Sequence, residues 1–360
     1  MKQTFRSFYA LLLCFALGTS TLYGGEPVKN IIFLIGDGMG LSSVSMMQLV
    51  NEYRPTIFDE ADNIALQKSY SADNRVTDSA ASGTALATGH KTNNTYIGVL
   101  PDGSAVESLT ELAKRHGKAT GIVVTTVVQH ATPAAFYAHI ANRHEYIAIT
   151  EQLVASTLDV VVGGGMSLFN ERYSGDVERV IADAGYHLVR TTEELEAASC
   201  DSRIMALVAD KEVGADSGDY LARATRKAID ILATRGGDEG FVLMVEGSLI
   251  DGMAHGNDAL AQQREMEGFM GAIEVAVEYA RNHPDTLVVV TADHETGGLA
   301  LVSANSDFNL SEQGVEFRWA TDGHSAQMVP IYLYGCGAEL INGIMENAEL
   351  GTKLKAIVAE

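Results

Sequence analysis

Five stretches of this sequence are apolar without interruption, and four of them run out into glycine or a carboxylate. They are "VKNIIFLIGDGMG" (28–40), "ATGIVVTT" (119–126), "LDVVVGGG" (158–165), "GFVLMVEG" (240–247) and "DTLVVVTADHETGG" (285–298). A strand with one face in water alternates apolar and polar residues, whereas a continuous apolar run has both faces covered, as in a parallel sheet between helices. Segments of helical pattern lie between the runs, at 108–117, 145–156 and 218–236. This order predicts an α/β fold with a mostly parallel central sheet and helices on both faces. No internal repeat or low-complexity linker divides the chain, so residues 25–360 are expected to form a single catalytic-sized domain.

The first residues have a different character. Lys2 and Arg6 precede "FYALLLCFAL" (8–17), and small residues follow up to Gly25. That is the order of a secretory signal peptide, expected over 1–24 with cleavage after Gly18, Ser20 or Gly24. The competing reading is a membrane anchor, for which ten apolar residues are short. The expected location is therefore the periplasm or the medium. Cys14 leaves with the peptide, and Cys200 and Cys336 are expected to stay unbridged.

The formal net charge is −22. Such a surface repels nucleic acid and anionic membranes, which excludes both as expected partners beyond the signal peptide. It also repels anionic small molecules at long range. An anion site on this chain needs concentrated positive charge, which bound cations supply more readily than its 25 Lys and Arg.

In open α/β sheets ligands bind beyond the carboxyl ends of the strands. There the sequence sets Asp37, Glu246 and the pair Asp293-His294. Each alone also reads as a cap for the following helix. Asp251 and His255 are four apart and share one face of a helix, a spacing that suits either a zinc chelate or a plain helix contact. His324 stands in a glycine-flanked loop before an apolar run, as a ligand or a surface histidine. His90, His116, His139, His144, His187 and His283 lack such neighbours and read as surface or packing residues.

The stretch "RVTDSAASGTALATG" (75–89) puts Ser79 behind Asp78 and ahead of a run of small residues. Small residues let a helix pack closely. A hydroxyl at a helix N-terminus also faces unpaired N–H groups and a positive dipole end, where an anion is welcome. A serine among ligands enough for two or three cations describes metal-assisted phosphoryl transfer.

Six motifs in one order, "IGDGMG" (35–40), "VTDSAASGTALATG" (76–89), "HATPAAFYAH" (130–139), "VEGSLID…H" (245–255), "TADHETGG" (291–298) and "GHSAQMVP" (323–330), resemble the alkaline phosphatases. The resemblance runs from about residue 28 to the C-terminus. It implies that Ser79 is a nucleophile forming a covalent phosphoserine, and that the cofactors are two Zn2+ and one Mg2+. It implies Asp37, Asp293 and His294 as ligands of the zinc that holds Ser79. Asp251, His255 and His324 then hold the zinc of the leaving alkoxide, whose bound water cleaves the phosphoserine. Asp37, Thr132 and Glu246 match the magnesium site, although "TPAA" at Thr132 also reads as a helix start. Arg143 matches the arginine that clamps substrate, Asp78 orients it or caps the helix, and His130 lies in the outer shell of the third ion. The substrates implied are small phosphate monoesters, the optimum alkaline, and a homodimer is the family's habit.

Two departures stand out. Gly252 follows Asp251 where members place Lys, His or Trp, and the short gap between His294 and His324 leaves no room for a large crown insertion. A phosphodiesterase or a cofactor-independent phosphoglycerate mutase of the same superfamily is the runner-up. A sulfatase is disfavoured because no "C-x-P-S-R" or serine equivalent occurs. A non-catalytic exported phosphate- or metal-binding protein is the reading from another class. With 6 Pro and 35 Gly in 360 residues, against about 5% and 7% in average proteins, the chain is expected to be heat-labile.

Overall fold

The structure, a computed structural model, describes residues 27–214, 218–304 and 314–360. The signal-peptide expectation lies outside the described residues. In chain order the strands are β1 (Asn30–Gly36), β2 (Asn63–Lys68), β3 (Ala119–Val127), β4 (Val160–Gly164), β5 (His187–Val189), β6 (Ile204–Ala209), β7 (Phe241–Gly247) and β8 (Thr286–Thr291). Four short ones follow, β9 (Glu295–Thr296), β10 (Ala300–Ser303), β11 (Val315–Arg318) and β12 (His324–Ser325), then β13 (Val329–Gly335) and β14 (Gly343–Glu346). The ten-stranded main sheet has the order β14-β2-β13-β8-β1-β7-β3-β4-β6-β5, and only β13 runs against its neighbours. Two small ribbons, β10 with β11 and β9 with β12, rise from the loops after β8.

The apolar runs become the centre of this sheet for the reason the sequence suggests. All seven residues of β1 are buried, as are all of β7 and β8. Successive side chains point to opposite faces. Ile31, Phe33 and Ile35 enter one core, while Ile32 and Leu34 enter the other. Phe33 meets Phe136 edge-on on its side, and Phe269 from the long helix Ala259–Asn282 fills the opposite core. With both faces covered, no polar alternation survives. The peripheral strands β2 and β14 are short and half-exposed, so their sequences carry little signal. Cys200 and Cys336 are not joined by a disulfide. Among the described residues no helix is long and apolar enough to cross a membrane.

Three features position the site. β1 lies between β7 and β8, so the carboxyl ends of these strands meet where the chain order reverses, the usual binding crevice of such sheets. The helix Ser79–Thr88 is buried over all ten residues. It needs its small side chains: a Cβ on Gly83 would come within 3.2 Å of Thr132 Cα. On its other side, a Cβ on Gly351 of the helix Asn347–Ala359 would come within 2.5 Å of Ala85 O.

Candidate active site

Asp37 follows β1 directly, Glu246 is the penultimate residue of β7, and Asp293-His294 lie two residues beyond β8. Asp251 and His255 face one way from the helix Leu249–His255, and His324 comes in on β12. The fold brings all of them to one place. Ligand atoms of Asp251, His255 and His324 lie within 4.8 Å of one another, as do those of Asp37, Asp251 and His294, and those of Asp37, His130 and Glu246.

Ser79 opens its helix with Asp78 as the N-cap, whose Oδ1 accepts from Ala81 N at 3.0 Å. The Ser79 hydroxyl reaches His294 Nε2 at 3.2 Å. The same nitrogen lies 3.2 Å from Asp293 Oδ2 and 3.4 Å from Asp37 Oδ1. Thr296 Oγ1 bridges the two halves, donating to Asp251 Oδ1 at 2.5 Å and touching His294 Nδ1 at 3.2 Å. Beside Ser79, Arg143 donates from Nη1 to Asp78 Oδ2 and from Nη2 to His130 Nε2, both at 3.1 Å.

The imidazoles carry the strongest indication of a bound cation. His324 Nδ1 faces Thr77 O at 2.8 Å, and His255 Nδ1 faces Asp322 O at 2.5 Å. A carbonyl only accepts, so both Nδ1 atoms hold the ring proton. The two Nε2 atoms then point at one another across 3.2 Å, with Asp251 beside both. Two lone pairs and a carboxylate converging this way want a cation between them, and fixing a ring by its other nitrogen is how metal-binding histidines are oriented. Without a metal a proton does this work: the hydrogen bond to Asp251 pushes His255 up to about 9. Burial opposes ionisation of Asp251, yet His255, His294 and His324 together hold it well below the usual carboxylate range.

The other half is a concentration of buried polar oxygens without hydrogen-bond partners. Asp37 Oδ1 and Oδ2, Asp293 Oδ2, Glu246 Oε1 and Thr132 Oγ1 are buried with no hydrogen-bond partner. Burial, with the charges of Asp293, Asp251 and Glu246, holds Asp37 well above its ordinary value. Burial likewise pushes Glu246 up to about 8, against the stabilising hydroxyl of Ser248. Buried carboxylates persist when paired or bound to metal, so these residues fit divalent cations. His130 brings a ring nitrogen within 4.8 Å of ligand atoms of Asp37 and Glu246. Burial and the Arg143 charge pull it down to about 4, so it is a neutral imidazole at ordinary pH.

Sequence reasoning missed Thr296, the carbonyls of Thr77 and Asp322, and Ser248, whose Oγ donates to Glu246 Oε2 at 2.6 Å. Thr296 lies inside "TADHETGG", Ser248 inside "VEGSLID…H" and Thr77 inside "VTDSAASGTALATG", while Asp322 stands outside every quoted motif.

A buried serine at a helix start, set among three overlapping groups of metal ligands at the switch point of a parallel sheet, defines a class: metal-dependent enzymes of the α/β type. The chain belongs to the alkaline phosphatase family, whose model, described as alkaline phosphatase, matches residues 28–313. It is 31% identical to alkaline phosphatase 3 of Bacillus subtilis, over 90% of this chain and 88% of that protein. It is 38% identical to alkaline phosphatase 4 of the same organism over 78% of this chain, a match that spans 64% of that longer protein. The alkaline phosphatase of the Antarctic bacterium TAB5 superposes with a TM-score of 0.85 at 34% identity, covering 92% of this chain and 98% of that one. A mutant of the TAB5 enzyme with a histidine replaced by aspartate has Mg bound in its M3 site.

Proposed function

We propose that the protein is an exported phosphate monoesterase that works through a phosphoserine on Ser79 and is most active at alkaline pH. The observation that carries this reading is the Ser79 hydroxyl 3.2 Å from His294, in a cluster whose lone pairs and carboxylates outnumber their protons. Asp37, Asp293 and His294 would hold one zinc, and Asp251, His255 and His324 a second. Asp37, Thr132 and Glu246 would hold magnesium, with the neutral ring of His130 beside them. Bound there, the cations supply the positive charge that makes a serine hydroxyl acidic and neutralises phosphate oxygens.

The chain's own groups do the rest. Arg143 turns its planar guanidinium to two non-bridging oxygens of the phosphate, a bidentate grip that fixes the phosphorus in front of Ser79. Ser79 Oγ gives its proton to solvent and forms a bond to phosphorus. The ester P–O bond breaks, and the alcohol leaves with a proton from water. A second water attacks the phosphoserine, the Oγ–P bond breaks, inorganic phosphate departs and Ser79 regains its proton. The N-terminal dipole of the helix Ser79–Thr88 favours the negative charge on Ser79 Oγ in both steps.

Hydrolysis of p-nitrophenyl phosphate across pH 6 to 11 tests the reading, with protein as purified, after chelation, and after zinc and magnesium are restored. Activity at alkaline pH that disappears with chelator, returns with both metals and is absent in Ser79→Ala is the expected result. Turnover of bis-p-nitrophenyl phosphate alone would move the protein to the diesterases. Metal binding with no turnover of either ester would make it a binding protein.

A further inference from the structure

Behind the site lies a hydrogen-bond chain that the reaction above does not use. Ser82, one helical turn beyond Ser79, is fully buried, and its hydroxyl donates to Asp293 O at 2.5 Å. Asn347, the first residue of the helix Asn347–Ala359, is also fully buried and donates from Nδ2 to Ser82 Oγ at 3.1 Å and to Ser69 O at 3.4 Å. Its Oδ1 accepts from Ala348 N at 2.8 Å, which fixes the amide with its nitrogen toward Ser82. Gln67 on β2 does the same one residue earlier, donating from Nε2 to Ala292 O at 2.6 Å and to Thr291 Oγ1 at 2.8 Å.

These donors act where the sheet stops supplying them. β8 ends at Thr291, and the chain turns out of the sheet carrying Asp293 and His294. The Asn347 amide can only donate to Ser82, so the single hydroxyl proton of Ser82 must go to Asp293 O. The direction of the chain is thereby fixed, from the C-terminal helix through the nucleophile's helix to the backbone of a candidate ligand. Three elements far apart in sequence meet in one buried polar chain in which no donor is wasted.

We propose that Ser82 and Asn347 are a positioning pair: they lock the Asp293–His294 turn to the helix that presents Ser79, and so set how firmly the metal beside Ser79 is held. The proposal rests on the reading of that site as a metal centre. Through Asn347 the C-terminal helix would then help to hold a candidate ligand of the site.

The test uses full-length protein loaded with zinc and magnesium, and follows zinc release to a chromogenic chelator in stopped flow, alongside Tm. Ser82→Ala and Asn347→Ala should each release one class of zinc about tenfold faster or more. The double variant should be no faster than Ser82→Ala, because both act through one hydroxyl. Asn30→Ala is the control: Asn30 is also buried and hydrogen-bonded, to Asp285 and Thr286, but at the opposite end of the sheet. It should lower Tm and leave zinc release within twofold of wild type. Release from the Ser82 and Asn347 variants that matches this control, or a double variant whose effects simply multiply, would overturn the proposal. Should Ser82→Ala not fold, Asn347→Ala leaves the hydroxyl in place without its orientation and carries the test. A wild-type protein that binds no zinc would instead defeat the reading of the site itself.

Discussion

Asp78 and Arg143 form an ion pair, Oδ2 to Nη1 at 3.1 Å, through the same carboxylate that caps the helix of Ser79. Thr95 N donates to that Oδ2 as well, and Thr95 O accepts from Arg143 N at 2.8 Å. Thr95 adopts a φ of 72°, a conformation that β-branched residues rarely hold unless their surroundings enforce it. The arginine is thus fixed at both its head and its backbone, relative to Ser79.

Such a prepaid orientation makes the guanidinium geometry, and not its charge alone, the thing to test. Arg143→Ala should raise KM for p-nitrophenyl phosphate and the inhibition constant of inorganic phosphate by about 10- to 100-fold, the range of a lost charged hydrogen bond of about 1.5–3 kcal/mol. Arg143→Lys keeps the charge but not the two-pronged grip, and should recover less than half of that free energy. Steady-state kinetics with phosphate as inhibitor reads both.

The strand-end carboxylates of the candidate site were legible because an apolar run cannot carry a carboxylate without reason. Asp37, Glu246 and Asp293 each break such a run at its carboxyl end, and Asp251 with His255 shows the helical spacing. What stayed hidden are relationships across the chain. Ser79 meets His294 over 215 residues, and His324 is oriented by a backbone carbonyl 247 residues away. No local pattern encodes either. Gln67 and Asn347 are fully buried, yet in sequence they are ordinary polar residues of a short strand and a helix start. Nothing marks Thr95 as a left-handed residue. The motif order that carried the family resemblance supplied what periodicity could not, namely which histidines belong together.

Metal removal should be a stability event as well as a loss of activity. Asp37, Asp293 and Glu246 present buried oxygens with no protein donor, so without cations the folded chain must leave those oxygens unpaired or take up protons on them. A ligand held at a thousand times its Kd stabilises by about 4 kcal/mol, and the proposed site takes more than one ion. Calorimetry at pH 8 should show Tm falling by several degrees or more with a chelator and recovering with zinc plus magnesium. An unchanged Tm after verified metal loss would count against the cluster as a metal centre.

A pH effect is expected away from the candidate metal site, at His139. Its Nε2 lies 2.9 Å from Glu111 Oε1 and its Nδ1 2.7 Å from Gly98 O, tying the helix Leu109–Arg115 to the segment that leads to Arg143. The hydrogen bond to Glu111 raises the histidine. Burial works against ionisation of Glu111, but its bonds from His139 and Ser108 bring it below its ordinary value. A raised histidine contributes fully below its unfolded value of about 6.5 and loses that contribution as pH rises through the folded value; a lowered glutamate contributes above about 4.3 and loses it in acid. The difference in Tm between wild type and His139→Gln should therefore be largest near pH 5 to 6 and shrink toward pH 9. A difference that grows with pH would refute the pairing.

Heat lability is expected of a chain with 35 Gly and only 6 Pro in 360 residues. Gly enlarges and Pro reduces the freedom of the unfolded chain, so this composition favours unfolding. With metals present, activity at 65 °C should decay within minutes; a half-life of many minutes would reject the expectation.

Gly252 offers the cleanest separation of stability from chemistry. It sits inside the helix Leu249–His255, one residue after Asp251, is exposed, and a Cβ built on it meets nothing within 4 Å. Glycine in a helix interior costs about 0.5–1 kcal/mol relative to alanine, so Gly252→Ala should raise Tm by a degree or more and leave kcat unchanged. Gly252→Lys has the same room but adds a cation beside a site for an anion. It should lower the inhibition constant of phosphate severalfold at low salt, and the effect should fade as ionic strength rises. If phosphate release limits turnover, kcat falls in the same variant. A lysine that leaves phosphate inhibition untouched at low salt would mean that this helix face looks away from the bound anion. The native glycine would then be only a weak point in the helix, not a gap left beside the phosphate.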